Sequence, residues 1–190
     1  MSFLTIFSWL GYFRVDDQIK EINDRIKNPI ENINSEKGFE VLTESLVYKV
    51  YDIFGRNVLL SILYQTGSFP GEVIAERIKR EYGKEEFEII EAIIILMDEL
   101  KDYYSIQIRE IHQFEDRYRI ILENSCFLRE PIKHREKLKF GKALCRINKA
   151  YFEIAFQNLL GDKIKKIEIN FLHNDEVNDV CVEEINFYTK

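Results

Sequence analysis

The hydrophobic pattern of this 190-residue chain changes from a helical to an alternating period close to residue 105. Before that point apolar residues recur every three or four positions, and the very apolar stretch EEFEIIEAIIILMDELKDYY predicts a helix over Phe87–Tyr104. After it, SIQIREIHQFEDRYRIILENSCF alternates and predicts strands at Ile106–Ile111 and Tyr118–Glu123. The chain therefore has to pack several N-terminal helices against a sheet whose strands come from the second half of the sequence.

Glycine and proline divide the helical half of the chain. Residues 37–66 predict two helices split near Gly55, and Gly67 is a predicted C-terminal stop. Pro70 suits the first turn of the next helix, which we expect to run to Gly83.

The second half supplies one more helix and two more strands. A polar loop is expected at 129–141, and KALCRINKAYFEIAFQNLLG predicts an amphipathic helix that Gly161 ends. Strands follow at Ile164–Leu172 and Val180–Tyr188. The predicted fold is α+β: N-terminal helices plus a mostly antiparallel four-stranded sheet with a long helix between the two hairpins. The expected apolar face of that helix carries Leu144, Ile147, Tyr151, Ile154 and Asn158.

The first residues are read as an appendage to this domain. MSFLTIFSWLGYF lacks the basic start and the cleavage site of a signal peptide and is too short to span a bilayer. We interpret it as an apolar arm that packs on the body or on a partner chain. DDQIKEINDRIKNPIENIN then predicts a helix with a thin isoleucine stripe, disturbed near Pro29. Residues 1–36 form the predicted arm and helix, and residues 37–190 form a single predicted domain.

Composition excludes some classes of function. The net charge of −6, from 33 acidic and 27 basic residues, gives no electrostatic reason to expect a nucleic-acid partner. Three widely spaced cysteines, an odd number, do not suggest a secreted disulfide framework. We therefore expect a cytoplasmic protein whose thiols are free or bound to metal.

Several segments resemble one known family. ILYQTGSFPGE on the helices, ENSCF at the end of a strand, and ALC, AYF, LLG and IEINFLH in the last third are similar to the four-vinyl-reductase domain, also called the hydrocarbon-binding domain. Its relatives include ligand-sensing domains of aromatic-responsive transcription activators, archaeal stand-alone proteins and, more distantly, Bet3-type vesicle-tethering subunits. The resemblance covers roughly Gly38–Tyr188.

The resemblance implies a zinc site near the end of the chain. Sensor members bind zinc through a cysteine of the late helix and a Glu, Cys and Cys of the last hairpin. Laid on this sequence, those positions are Cys145, Asn170, His173 and Cys181. Histidine preserves zinc chemistry, but asparagine removes the charged ligand.

Alternatives remain open around this implied site. Cys126 is a candidate fourth ligand or a small buried residue, and Asn178 is the residue expected to take a positive φ in the turn. FLHNDEVNDVC is then either an altered structural zinc site or only a polar turn between two strands.

The apolar helix at Phe87–Tyr104 also has two interpretations. It is either the central core helix or, as the resemblance implies, a helix with one face lining a cavity for an apolar ligand. Met adapts its shape, and Tyr adds a hydroxyl to an apolar ring, so both residue types suit such a wall. The candidate ligand-binding residues are Tyr64, Met97, Tyr103, Tyr104 and Tyr151.

Two hypotheses about function follow. The first is a small-molecule-binding or sensing domain, a homodimer that holds a hydrophobic ligand and acts through a separate partner. The second is an interaction subunit related in role to the vesicle-tethering proteins, without a ligand. An enzyme is disfavoured because the chain has no dinucleotide-binding glycine motif and no cysteine set for an iron–sulfur cluster.

Overall fold

The computed structural model describes residues 19–24, 34–129, 143–175 and 177–190. Residues 19–24 are helical. The predicted N-terminal arm, the predicted disturbance near Pro29 and all but the first residue of the predicted loop at 129–141 lie outside the described residues. Thr43–Lys190 form one compact unit, distinct from residues 1–42.

The first long helix, α1, spans Ser35–Tyr82. Gly55 interrupts it with φ 77° and ψ 176°, which confirms the predicted split. The predicted stop at Gly67 is wrong, because the helix continues through Gly67 and Pro70 to Tyr82. Gly83, with φ 60°, follows the end of the helix and has the left-handed conformation typical of a C-terminal glycine.

The next helix, α2, spans Ile89–Glu99 and is shorter than predicted. A reciprocal pair of hydrogen bonds between Glu88 and Glu91 caps its N-terminus. It is also less buried than its composition suggested, since Ile94 is exposed. The chain leaves this helix just before β1 begins at Tyr104.

Four strands form a single sheet, and every neighbouring pair is antiparallel. The order across the sheet is β1-β2-β4-β3. The predicted α+β fold, with a late antiparallel sheet and a long helix between its two hairpins, is therefore confirmed. The strands are β1 (Tyr104–Gln113), β2 (Arg117–Cys126), β3 (Ile164–Asp175) and β4 (Val180–Thr189).

Helix α3, Cys145–Leu160, joins the two hairpins and leads into a short 3-10 helix at Gly161–Lys163. It contributes to the core on its sheet side, where Phe156 meets Phe187 of β4 edge to face at 5.1 Å. The predicted apolar face does not form this contact. Ile147 and Tyr151 of that face lie against α1 instead.

Two glycines explain why α1 does not stop where predicted. A Cβ atom on Gly67 would lie 2.2 Å from the carbonyl oxygen of Ile147, and one on Gly71 would lie 2.6 Å from that of Tyr151. One helical turn apart, the glycines let the backbones of α1 and α3 approach closely. Gly67 therefore serves helix packing and not helix termination.

Within the described ranges, no helix combines the length and the apolar character needed to cross a bilayer.

Candidate functional site

A pocket of about 410 Å³ opens where α1 and α3 meet the start of β1 and the turn after β2. We call it the tyrosine pocket. Tyr104 begins β1, Tyr103 precedes it, and Tyr151 projects from α3, so two separate segments place three phenol rings around one space. The complete lining is Pro70, Val73, Ile74, Arg77, Leu100, Tyr103, Tyr104, Phe127, Ile147 and Tyr151.

Tyr104 forms the buried wall of the pocket. Its hydroxyl donates a hydrogen bond to Oδ1 of Asn148 at 3.0 Å. Its ring meets Phe127 edge to face at 5.8 Å and Phe152 at 5.1 Å. Burial strongly raises the pKa of this phenol, so the group stays a neutral donor.

The other two tyrosines lie nearer the mouth. Tyr151 stacks on Tyr104 at 6.4 Å, and burial raises the pKa of Tyr151 to about 12. Tyr103 is 61% exposed. The three rings therefore present a gradient from a buried, hydrogen-bonded phenol to a solvent-facing one.

The structure brings together three of the five predicted ligand-binding residues and leaves two elsewhere. Burial raises the pKa of Tyr64, on α1, and the neighbouring carboxylate of Glu153 raises it further. Met97 packs against the hydrophobic core. Neither residue belongs to the lining of the tyrosine pocket. Ligand binding by Tyr103, Tyr104 and Tyr151 stays a prediction.

Arg77 and Phe127 complete the pocket and were not predicted from the sequence. Arg77 forms a hydrogen-bonded ion pair with Glu99 of α2. Both charges have the sequence context of ordinary solvated helix positions, so no pattern marks them. Phe127 directly follows β2, and only the fold brings it beside Tyr103 and Tyr104.

A buried polar pair lies on two neighbouring strands of the sheet, β2 and β4. Glu183 of β4 is only 2% exposed and accepts a hydrogen bond from Nδ2 of Asn124 at 3.0 Å. Burial raises the pKa of Glu183 to about 7, although the bond from Asn124 opposes that shift.

Three buried cysteines lie near this pair. Cys126 ends β2, Cys145 begins α3, and Cys181 lies in β4. Burial raises the pKa of the Cys181 thiol, and the nearby Glu183, Cys126 and Cys145 raise it further. The thiols of Cys126 and Cys145 therefore both lie near enough to Cys181 to affect its charge, and metal binding by Cys145 and Cys181 stays a prediction.

His173 does not join these thiols, because β3 contains a bulge between Phe171 and His173. The extra residue moves His173 opposite Val182 and places Asn174 opposite Cys181. Directly opposed residues leave an antiparallel sheet on the same face, and successive residues leave on opposite faces. His173 thus points to the other side of the sheet from Cys181 and is exposed.

The remaining positions implied for zinc also depart from the expected arrangement. Nδ2 of Asn170 donates to the carboxylate of Glu184 on an exposed face. The positive φ in the turn belongs to Asp179, at 56°, and not to the predicted Asn178. Within the described residues, no three His, Cys, Asp or Glu side chains are grouped so that they could hold a metal ion.

Comparison with known proteins gives one kind of similarity. No protein-family profile matches the chain. No curated protein matches its sequence significantly. Its fold resembles the crystal structure of the phenol-responsive sensory domain of the transcription activator PoxR with phenol, at a TM-score of 0.52 and 11% identity, over 78% of this chain and 74% of that chain. At this identity the similarity shows a shared fold.

Proposed function

We propose that this chain is a small-molecule sensing domain that binds a small apolar compound in the tyrosine pocket and acts through a separate protein partner. The observation that carries the proposal is the convergence of Tyr103, Tyr104 and Tyr151 on one largely apolar space. The shared fold with a phenol-responsive sensory domain supports it.

The size of the pocket sets the size of the ligand. A dry cavity of roughly 150 Å³ is sufficient for a benzene ring. The tyrosine pocket, at about 410 Å³, has room for a substituted ring or a molecule of similar bulk. It also lies within the range typical of small-molecule sites, roughly 300–1,000 Å³.

The charged pair at the pocket suggests how a ligand is oriented. Arg77 lines the pocket and is bonded to Glu99, so its guanidinium keeps further N–H donors at an otherwise apolar wall. A ligand with an apolar body and one acceptor group, such as a hydroxyl or carbonyl oxygen, matches this arrangement.

Filling the pocket tests the proposal. Val73 lines it and is about half exposed, so Val73→Trp adds bulk there without disturbing the deep core. Ile94→Trp is the matched control, since Ile94 is exposed on α2 and outside the lining. Isothermal titration with phenol as the probe should show binding to the wild type and to Ile94→Trp, and at least about tenfold weaker binding to Val73→Trp.

A related series of toluene, indole and benzyl alcohol extends the titration beyond one compound. If none of these probes bound the wild type, or if Val73→Trp bound them as well as Ile94→Trp did, the tyrosine pocket would not be the site.

We further propose that α1 forms a contact with a second copy of the chain. Val58, Ile62 and Phe69 lie on one stripe of α1 by helical spacing, and all three are exposed. Exposed apolar stripes of this kind favour protein contacts, and they also support the alternative function as an interaction subunit.

Sedimentation equilibrium tests this contact. Ile62→Asp should convert a dimer to a monomer, whereas Ile94→Asp, at an exposed position of α2, should leave the dimer intact. A wild type that is monomeric at all concentrations would contradict the proposed homodimer. A chain that binds no probe but still associates would favour the interaction subunit.

A further inference from the structure

Arg129 is a buried cation at the β3–β4 hairpin. The residue is 7% exposed. Its Nε donates to Oδ1 of Asp179 at 2.7 Å, and its Nη2 donates to Oδ1 of Asn174 at 3.0 Å. Longer contacts of 3.4 Å reach Sγ of Cys181 from Nη1 and the carbonyl oxygen of Asp175 from Nη2. One guanidinium therefore joins both strands of the hairpin and the turn between them.

The turn is shaped to present these acceptors. Oδ1 of Asp175 accepts hydrogen bonds from the backbone N–H groups of Val177 and Asn178, each at 3.0 Å. Asp179 then takes its left-handed conformation, which is uncommon for a non-glycine residue, is tolerated by aspartate, and is favoured further by stabilising contacts. The ion pair with Arg129 is such a stabilising contact.

The side chains around Cys181 in the β3–β4 hairpin do not suit the zinc ion that the family resemblance implied. The β3 bulge puts His173 on the opposite face from Cys181 and gives its place to the neutral Asn174. The guanidinium of Arg129 already lies within 3.4 Å of the Cys181 sulfur. A divalent cation at that sulfur would face a second positive charge in a poorly solvated environment, where repulsion is strong.

The same short segment reaches the tyrosine pocket. Phe127, two residues before Arg129, lines the pocket. Its backbone N–H donates to the carbonyl oxygen of Tyr103 at 3.1 Å, and its ring packs edge-on against Tyr104. Holding Arg129 at the hairpin therefore fixes the segment that carries Phe127.

We propose that Arg129 is an internal cation that closes the β3–β4 hairpin in place of a metal ion and thereby positions Phe127 in the wall of the tyrosine pocket. Arginine suits this role because its planar fork satisfies several acceptors at once and stays protonated when buried. A side chain of the protein, and not a bound metal ion, then holds the hairpin closed. The part of this inference that concerns Phe127 rests on the proposed function, whereas the hairpin part does not.

Hydrogen exchange of the hairpin amides tests whether Arg129 holds the β3–β4 hairpin closed. Arg129→Met keeps the aliphatic bulk and removes the charge, and exchange at residues 173–182 should accelerate at least about tenfold. Arg129→Lys should fall between wild type and Arg129→Met, since it keeps the charge and loses the fork. Arg109→Met is the matched control: Arg109 forms an exposed ion pair with Glu123, and its loss should leave hairpin exchange unchanged.

Metal analysis of the purified wild-type protein gives a test that does not depend on folding of the variants. Treatment with 1,10-phenanthroline should change neither its melting temperature nor hairpin exchange. About one equivalent of zinc per chain, with looser hairpin amides after its removal, would overturn the proposal. Wild-type exchange rates in Arg129→Met would do the same.

Phenol titration separates the two parts of the proposal. If the wild type binds phenol, Arg129→Met should weaken binding severalfold, with Arg129→Lys in between, while Arg109→Met binds normally. Unchanged binding in Arg129→Met would remove the role in positioning Phe127. A wild type that binds no probe would contradict the proposed function and leave the hairpin result to stand by itself.

Discussion

The hydroxyl of Tyr104 is bonded to Asn148 at 3.0 Å in a buried position. Tyr104 starts β1 and Asn148 lies in the first turns of α3, so this bond fixes the sheet to the helix directly behind the tyrosine pocket. The phenol ring faces the pocket while its polar end is already satisfied. Tyr104 therefore contributes shape and an apolar surface to the pocket.

Removing that hydroxyl tests its structural role. Tyr104→Phe leaves the buried oxygen of Asn148 without this donor, and we expect the free energy of unfolding to fall by about 1–3 kcal/mol. Tyr103→Phe should have little effect, because Tyr103 is largely exposed. Urea denaturation followed by circular dichroism measures both. Equal stability of the two variants would show that the Tyr104–Asn148 bond contributes nothing.

The close contact of α1 and α3 predicts strong sensitivity at two glycines. Alanine at Gly67 or Gly71 would place a Cβ against the backbone of α3, so the helices must separate. We expect a loss of roughly 1–3 kcal/mol for each change. Gly38→Ala is the control, since a Cβ there meets nothing within 4 Å and alanine favours the helix by about 0.5–1 kcal/mol. Thermal unfolding that ranks the three variants alike would contradict the packing argument.

The fold was predictable because its signal is local. A helical period in the helices and alternation in the strands require only that each segment bury its own apolar face. Gly55 marks the break in α1 by its special backbone conformation. Gly67 misled for an equally physical reason. A glycine that ends a helix and one that admits a neighbouring helix look the same in a sequence.

The candidate site was only partly predictable. The sequence pattern marks Tyr103 and Tyr104 at the end of an apolar helix, but Phe127 and Arg77 reach the pocket through tertiary structure alone. The β3 bulge shows the limit most clearly. One extra residue exchanges the faces of His173 and Asn174, and no local sequence feature predicts this bulge.

The Asp179–Arg129 pair predicts a charge effect at the hairpin turn. Asp179→Asn keeps a residue that tolerates positive φ but removes the negative charge next to a buried guanidinium. We expect a loss of about 1–3 kcal/mol in urea denaturation. Asp162→Asn removes an exposed pair with Lys190 and should cost less than about 1 kcal/mol. A loss at Asp162 as large as that at Asp179 would argue against a special role for the buried cation.

Glu183 predicts an unusual pH dependence of stability. Its pKa is about 7 in the folded protein, because burial disfavours the carboxylate, against the ordinary value of 4.5. Between these values the unfolded chain releases the proton while the folded chain keeps it. The contribution of Glu183 to stability is therefore fully present below pH 4.5 and declines as pH rises to about 7.

Glu183→Gln isolates the pH-dependent contribution of Glu183 to stability, because the amide keeps the shape of the side chain and cannot ionise. We expect the stability of the variant relative to wild type to rise by up to roughly 3 kcal/mol as pH increases from 4.5 to 7, measured by urea denaturation at each pH. Glu184→Gln is the adjacent control. Arg119 lowers the pKa of Glu184, so its contribution is lost only as pH falls below 4.5, and its difference from wild type should stay flat in this window. A flat difference for Glu183→Gln as well would mean that the buried carboxyl is not protonated in the folded protein.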